Sequence, residues 1–162
     1  MSLLPLLLLM GSAQAGEPVL RVDGDRVVVD VTVQAPLERV LPLMHQPREI
    51  ARIDGGGTEV TVLASGACDE LAYSVPSFVG RVEYVVSFCA QPDGSTANLL
   101  RSEDMASYQA IWKATDTGQG VAIHYEILAQ PTMRVPRRLV LGATKRQVLR
   151  LIERMVREVE GG

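Results

Sequence analysis

The sequence predicts an α+β fold in which helices cover one face of an antiparallel sheet of about six or seven strands. Three observations predict it. Residues 58–130 form a succession of short β-branched segments separated by turn signals. One or two short helical patterns follow the first strand. A single amphipathic pattern then begins after Pro136 and ends at Gly161, which predicts a long C-terminal helix.

Residues 1–15, MSLLPLLLLMGSAQA, have the layout of a secretory signal cleaved after Ala15. The apolar run is short of the roughly 20 residues that a membrane span requires, and no Lys or Arg precedes it. We therefore expect a periplasmic or secreted protein whose mature domain covers residues 16–160. The alternative, a buried N-terminal segment, is disfavoured because small residues and Gly16-Glu17-Pro18 follow the run directly.

The composition limits the class of protein. The chain has 162 residues, of which 47% are hydrophobic, and this is typical of one globular domain. A net charge of −3 argues against a nucleic-acid partner. His45 and His124 lie far apart and there is no CxxC motif, so we expect no metal site.

The first strand is predicted over residues 26–35, with Val27, Val29, Val31 and Val33 on one face. A helix follows from residue 37, and Pro42 should kink or split it. A second short helix is expected over residues 48–53, and the glycines at 55–57 end it.

Six further strands are predicted over residues 59–64, 69–75, 81–90, 96–103, 107–115 and 121–129. A turn between Ser77 and Phe78 joins the second and third of these. The expected register sets Tyr73 opposite Tyr84, and it also pairs Leu71 with Val86 and Val75 with Val82. Apolar side chains then share one face of both strands.

The same register sets Cys68 opposite Cys89 on the other face of the hairpin. An even pair of cysteines in an exported protein is a disulfide candidate. A shift of one residue would separate them, and the alternative is two unpaired cysteines, one of them near the surface.

The C-terminal helix carries two stripes. Its apolar residues, among them Leu141, Val148 and Ile152, recur at helical spacing. Its basic stripe comprises Arg146, Arg150, Arg154 and Arg157. One hypothesis is transient contact between these arginines and anionic lipid at a membrane surface. The other is a solvated face, which the interspersed glutamates favour.

Three stretches resemble the START-like (SRPBCC) superfamily of polyketide cyclase-like, Bet v 1-like and coenzyme Q-binding proteins. They are VVVDVTVQAPLERVLPLM, IWKATDTGQGVAIHYEILAQP, and VPRRLV with the helix that follows. The resemblance covers residues 27–160. It implies a helix-grip fold, in which a curved sheet wraps around the C-terminal helix and an apolar cavity lies between them. The segment HQPREIARIDGGG departs from the pattern, since it lacks the aromatic residues that members often have there.

The resemblance also implies which side chains face the cavity. These candidate ligand-binding residues are Tyr73, Tyr84, Phe88, Tyr108, Trp112, Tyr125, Leu141, Val148 and Ile152. An apolar pocket with tyrosine hydroxyls suits a hydrophobic small molecule or a lipid. The alternatives are a cyclase- or hydrolase-like enzyme that uses the same cavity, and an interaction module with a filled core. We identify no catalytic residue, and we expect no cofactor; His124 and Glu126 share a strand face that should point outward.

Overall fold

The computed structural model describes residues 16–78 and 80–161, so the predicted signal over residues 1–15 lies outside the described residues. One sheet and three helices form the domain. The strands are β1 (Val19–Asp23), β2 (Arg26–Val33), β3 (Glu59–Ala64), β4 (Asp69–Ser77), β5 (Gly80–Gln91), β6 (Gly94–Arg101), β7 (Met105–Asp116) and β8 (Val121–Pro131). The helices are α1 (Leu37–Met44), α2 (Pro47–Asp54) and α3 (Arg137–Gly161).

The sheet is antiparallel throughout, in the order β1-β2-β8-β7-β6-β5-β4-β3. Strands that follow one another in sequence pair with each other, except that β2 does not pair with β3. Strand β2 pairs instead with β8, so strands near the two ends of the sequence lie close together. Helix α3 packs against β2, β8 and α2. This arrangement is the helix-grip fold that the sequence predicted.

The closed core, as we call it, is the set of buried aliphatic and methionine side chains on β2, α1, the start of β8 and the C-terminal half of α3. The predicted alternation of β2 is confirmed, because all four of its odd-numbered valines are buried. The members of the closed core are Val27, Val29, Val31, Val33, Val40, Met44, Val121, Ile123, Ile152, Met155 and Val159. All of them are aliphatic or methionine.

Strand β1 is an element that the sequence pattern did not predict, so the sheet has eight strands. It is an edge strand that pairs only with β2. Val19 is 65% exposed, and four of the strand's five residues are exposed. A strand without a buried face shows no alternation in its sequence, which is why the pattern missed it.

Helix α1 corrects the expectation for Pro42. The helix runs from Leu37 to Met44 and is not split, although Pro42 lies inside it. Proline removes one intrahelical hydrogen bond. Because the helix ends two residues later, little helix remains for a kink to redirect. Across residues 16–78 and 80–161, no helix has both the length and the apolar character that crossing a membrane would require.

The β4–β5 hairpin has the predicted register. Tyr73 pairs with Tyr84, and the other two predicted pairs also form. The turn is centred one residue later than expected, since Ser77 pairs with Gly80. Cys68 and Cys89 come together at the far end of this hairpin, and their sulfur atoms are bonded.

Candidate ligand-binding cavity

A cavity of about 240 Å³ lies between the sheet, α2 and the N-terminal half of α3. Strands β4 to β8 form its floor. Helix α2 contributes Ile50, Ala51 and Asp54, and α3 contributes Val140, Val148 and Leu151 among others. No described residue of β1, β2 or α1 lines it, so the cavity and the closed core occupy different halves of the domain.

Every aromatic residue of the chain lines this cavity. The sequence contains one tryptophan, four tyrosines and two phenylalanines, and all of them are lining residues: Tyr73, Phe78, Tyr84, Phe88, Tyr108, Trp112 and Tyr125. Phe78 is at the rim and is 68% exposed, whereas Trp112 and Tyr125 are buried. The strand alternation positions the inner rings, since successive inward positions lie two residues apart.

The inner rings form two groups. Trp112 and Tyr125 are cross-strand partners on β7 and β8, and their rings stack with centroids 3.9 Å apart. Tyr84 belongs to the second group, where its ring centroid lies 5.3 Å from that of Tyr73 and 4.6 Å from that of Tyr108. Such ring pairs stabilise each other beyond the area that they bury, so the rings of the floor support one another in this arrangement.

The four tyrosine hydroxyls remain protonated in this environment. Burial raises the pKa of Tyr73, Tyr84, Tyr108 and Tyr125, because removal from water disfavours the phenolate. A hydrogen bond with Tyr84 acts in the opposite direction on the pKa of Tyr108. Each hydroxyl is therefore a neutral donor and acceptor at physiological pH.

Gly94 accounts for the close packing of β6 beside β7 within the floor of the cavity. A Cβ at this position would overlap the backbone carbonyl of Trp112. The absence of a side chain lets β6 pack tightly beside β7. Ser95, the next residue, is 1% exposed and lines the cavity.

One charged side chain lines the cavity among the described residues, and it is Asp54 at the end of α2. Asp54 is 5% exposed. The guanidinium of Arg150 on α3 donates to both of its carboxylate oxygens at 3.2–3.3 Å. This ion pair joins α2 to α3 at the edge of the cavity, and it balances the buried carboxylate.

The glycines after Asp54 make room for this junction. Gly55 has a φ of 65°, the left-handed conformation that ends α2. Arg154 donates to the backbone carbonyl of Asp54, and a side chain at Gly55 would meet its guanidinium. A Cβ at Gly56 would lie 2.7 Å from a carboxylate oxygen of Asp54. From the sequence, these glycines predicted only the end of a helix. The sequence signal for this junction was an aspartate that precedes three glycines, together with two arginines one helical turn apart in the C-terminal helix.

Seven of the nine predicted ligand-binding residues line the cavity, and Leu141 and Ile152 do not. Ile152 is fully buried in the closed core, and Leu141 packs against the core from a half-buried position. The helical face that borders the cavity instead carries Val140, Ala143, Thr144, Gln147, Val148 and Leu151. Val140 and Leu151 each precede a predicted residue by one position along the helix. The apolar stripe of α3 is wide enough to include both the predicted and the observed lining residues.

The basic stripe is also divided. Arg150 and Arg154 contact Asp54, whereas Arg146 and Arg157 are exposed. The His124 and Glu126 pair lies on the outer face of the sheet. Nε2 of His124 is 3.3 Å from Glu126, and its Nδ1 is 2.6 Å from Asp30. These side chains do not line the cavity.

Solved structures share this architecture. A START superfamily protein from Mycobacterium smegmatis aligns with a TM-score of 0.73 and 13% identity, over 85% of this chain and 99% of that one. The Zhui aromatase/cyclase from Streptomyces sp. R1128 aligns with a TM-score of 0.68 and 15% identity, over 88% and 94%. Human StAR-related lipid transfer protein 5 aligns with a TM-score of 0.66 and 12% identity, over 89% and 86%. The chain therefore has the START-like fold that its sequence resembles. No protein-family model matches the sequence, and no curated protein does so.

Proposed function

We propose that this protein is exported and binds a hydrophobic small molecule or lipid in the cavity between its sheet and α3. The observation that carries the proposal is the position of the aromatic residues, all of which line one cavity. A concave, mostly apolar pocket with a few polar groups is the usual form of a small-molecule site. Two of the structural neighbours are named as a lipid transfer protein and an aromatase/cyclase.

Export is supported by two independent features. Residues 1–15 have the pattern of a cleavable signal. The bonded pair Cys68 and Cys89 is typical of proteins that fold in an oxidising compartment. The localisation that we propose is therefore periplasmic or secreted.

Native mass spectrometry of protein purified from the periplasm tests the proposal directly. We expect a mass increment from a co-purified hydrophobic molecule, and an N-terminus at Gly16. An apo mass together with no uptake of fluorescent lipid analogues would contradict ligand binding. Retention of residues 1–15 on the purified protein would contradict export by signal cleavage.

Cavity variants separate ligand binding from core packing. Trp112→Ala and Tyr125→Ala should weaken ligand uptake, because both remove ring surface from the floor of the cavity. Ile152→Val in the closed core is the matched control, since it changes packing at a residue outside the cavity. If the two cavity variants lower stability without changing uptake, these rings belong to the core alone.

The alternative function is a cyclase- or hydrolase-like enzyme that uses the same cavity. The observation that favours it is the alignment with an aromatase/cyclase. Incubation of the protein with a poly-β-ketone thioester tests it, because a cyclase would accelerate ring closure above the spontaneous rate. The third alternative, an interaction module with a filled core, is disfavoured by the 240 Å³ of open space.

Transient contact with a membrane surface is the last part of the proposal. Arg150 and Arg154 already contact Asp54, so the exposed Arg146 and Arg157 are the residues that we assign to it. Cosedimentation with phosphatidylglycerol vesicles should fall in the Arg146→Gln/Arg157→Gln variant. Equal cosedimentation of the variant and the parent protein would contradict a membrane contact through Arg146 and Arg157.

A further inference from the structure

We infer that the ligand is a small, neutral, oxygen-bearing aromatic molecule of one or two rings, and that a diacyl lipid is excluded. This inference rests on the proposed function and specifies its ligand. Three properties of the cavity lead to it: its volume, the composition of its wall, and its charge.

The volume limits the size of the ligand. The cavity holds about 240 Å³. Sites for drug-sized ligands begin at about 300 Å³. One or two rings fit this space, and the two acyl chains of a phospholipid do not.

The composition of the wall indicates an aromatic ligand. The closed core of the same domain is packed with valine, isoleucine and methionine and contains no aromatic side chain. The buried residues that lie away from the cavity are thus all aliphatic or methionine, and the buried rings are all at the cavity. The chain has placed all of its rings around the cavity. Ring surfaces favour other rings through stacked and edge-to-face contacts, which an alkyl chain cannot make.

The polar groups of the cavity indicate that the ligand carries oxygen. The tyrosine hydroxyls of Tyr73, Tyr84, Tyr108 and Tyr125 and the hydroxyl of Ser95 all belong to lining residues. Each hydroxyl can donate one hydrogen bond and can also accept hydrogen bonds. A hydrocarbon ligand would leave buried hydroxyls without partners, which is unfavourable.

The charge of the cavity favours a neutral ligand. Asp54 is the one charged lining residue among those described. Both of its carboxylate oxygens are bonded to Arg150, so the pair presents no uncompensated charge to the interior. A ligand anion or cation would enter an apolar site without a counterion, and desolvation would oppose its binding.

Isothermal titration calorimetry with four probes tests the inference on the intact mature protein. The probes are naphthol, naphthoate, decanol and dihexanoyl phosphatidylcholine. We expect naphthol to bind about 10-fold or more tightly than each of the others, which differ from it in charge, in ring structure or in size. Trp112 is the chain's single tryptophan and lines the cavity, so movement of its indole N–H resonance reports that binding occurs there.

The Tyr125→Phe variant tests the role of the hydroxyls while it keeps the ring. We expect its naphthol affinity to fall about 3- to 10-fold, the usual effect of one lost hydrogen bond. Its affinity for naphthalene, which has no oxygen, should be unchanged. This second ligand serves as the control for a general effect on folding.

The outcomes are distinguishable. Binding of decanol or the phospholipid at least as tightly as naphthol would overturn the assigned ligand class and leave the proposed function standing. Tighter binding of naphthoate would overturn the neutrality of the ligand. If no probe binds and the Trp112 resonance does not move, the proposed function fails, and the inference fails with it.

Discussion

The two halves of α3 face interiors of different kinds. The C-terminal half inserts Ile152, Met155 and Val159 into the closed core, and each is at most 1% exposed. The N-terminal half borders the cavity with residues such as Val140 and Val148. One helix thus covers a packed valine-rich core at one end and an open aromatic-lined space at the other.

The difference shows how side-chain shape decides whether an interior closes. Small branched side chains interdigitate at high density and leave few voids. Large flat rings stack in fixed geometries, as Trp112 and Tyr125 do. The rings of the sheet border the open space beside the N-terminal half of α3, whereas aliphatic and methionine side chains pack around its C-terminal half.

The largest effect should come from the closed core. Met155→Ala removes a fully buried side chain, and it should lower the free energy of unfolding by about 2–5 kcal/mol, as expected for such cavities. Val140→Ala at the cavity wall is the matched variant, and it should cost less than about 1 kcal/mol because that site is already open. Urea unfolding of both measures the difference. Equal losses would show that the two halves are packed alike.

The disulfide should have the next largest effect, and it lies on the outer face of the β4–β5 hairpin, whose inner face lines the cavity. Cys68 and Cys89 are separated by 21 residues, and a crosslink over a loop of that size contributes about 3 kcal/mol. The Cys68→Ser/Cys89→Ser variant should therefore unfold at a lower urea concentration. Adding reductant to the parent protein should reproduce the loss, and thiol counting gives the extent of reduction. A parent protein with two free thiols before reduction would contradict the bond.

The ion pair between α2 and α3 should have a smaller effect. Asp54→Asn leaves Arg150 without its anion, but this side chain is 44% exposed and can reach water. We expect a loss of about 1–2 kcal/mol, at the lower end for a broken buried pair. A double-mutant cycle with Arg150→Gln isolates the interaction. Additive losses would show that the two side chains are not coupled.

A loss of stability in alkali should be similar in size to that of the ion-pair variant, and it reports on the cavity half alone because all four tyrosines lie there. Burial raises the pKa of each above its value in the unfolded chain, which is about 10. The unfolded state therefore loses protons first as the pH rises. Stability should be unchanged below pH 9 and should fall by about 1–2 kcal/mol at pH 10. Urea unfolding at pH 8 and pH 10 measures this.

A Tyr125→Phe variant provides the control for that titration. It should lose less stability between the two pH values, since one raised pKa has been removed. Tyrosinate absorbance of the folded protein at pH 10 should be lower than that of the protein in urea. Equal absorbance in the two states would show that the tyrosines are not protected by burial.

The resemblance to the START-like superfamily implied the inward direction of aromatic residues such as Trp112 and Tyr125. The sequence by itself determined the order of the predicted elements and the register of the β4–β5 hairpin. These features depend on local periodicities of two and 3.6 residues and on turn signals. They also brought Cys68 opposite Cys89. The edge strand β1 escaped because an exposed strand leaves no such periodicity.

Only the tertiary structure decided which inward-facing residues border open space and which fill the core. Leu141 and Ile152 share the apolar stripe of α3 with Val140 and Leu151, yet only the latter two line the cavity. The tertiary structure also decided that Asp54 pairs with Arg150, which lies 96 positions away in the sequence. The physical reason is the same in both cases. The helix and sheet faces that meet, and the distance between them, depend on the total volume of the side chains packed between them. This total depends on residues far apart in the chain, so no short stretch of the sequence indicates it.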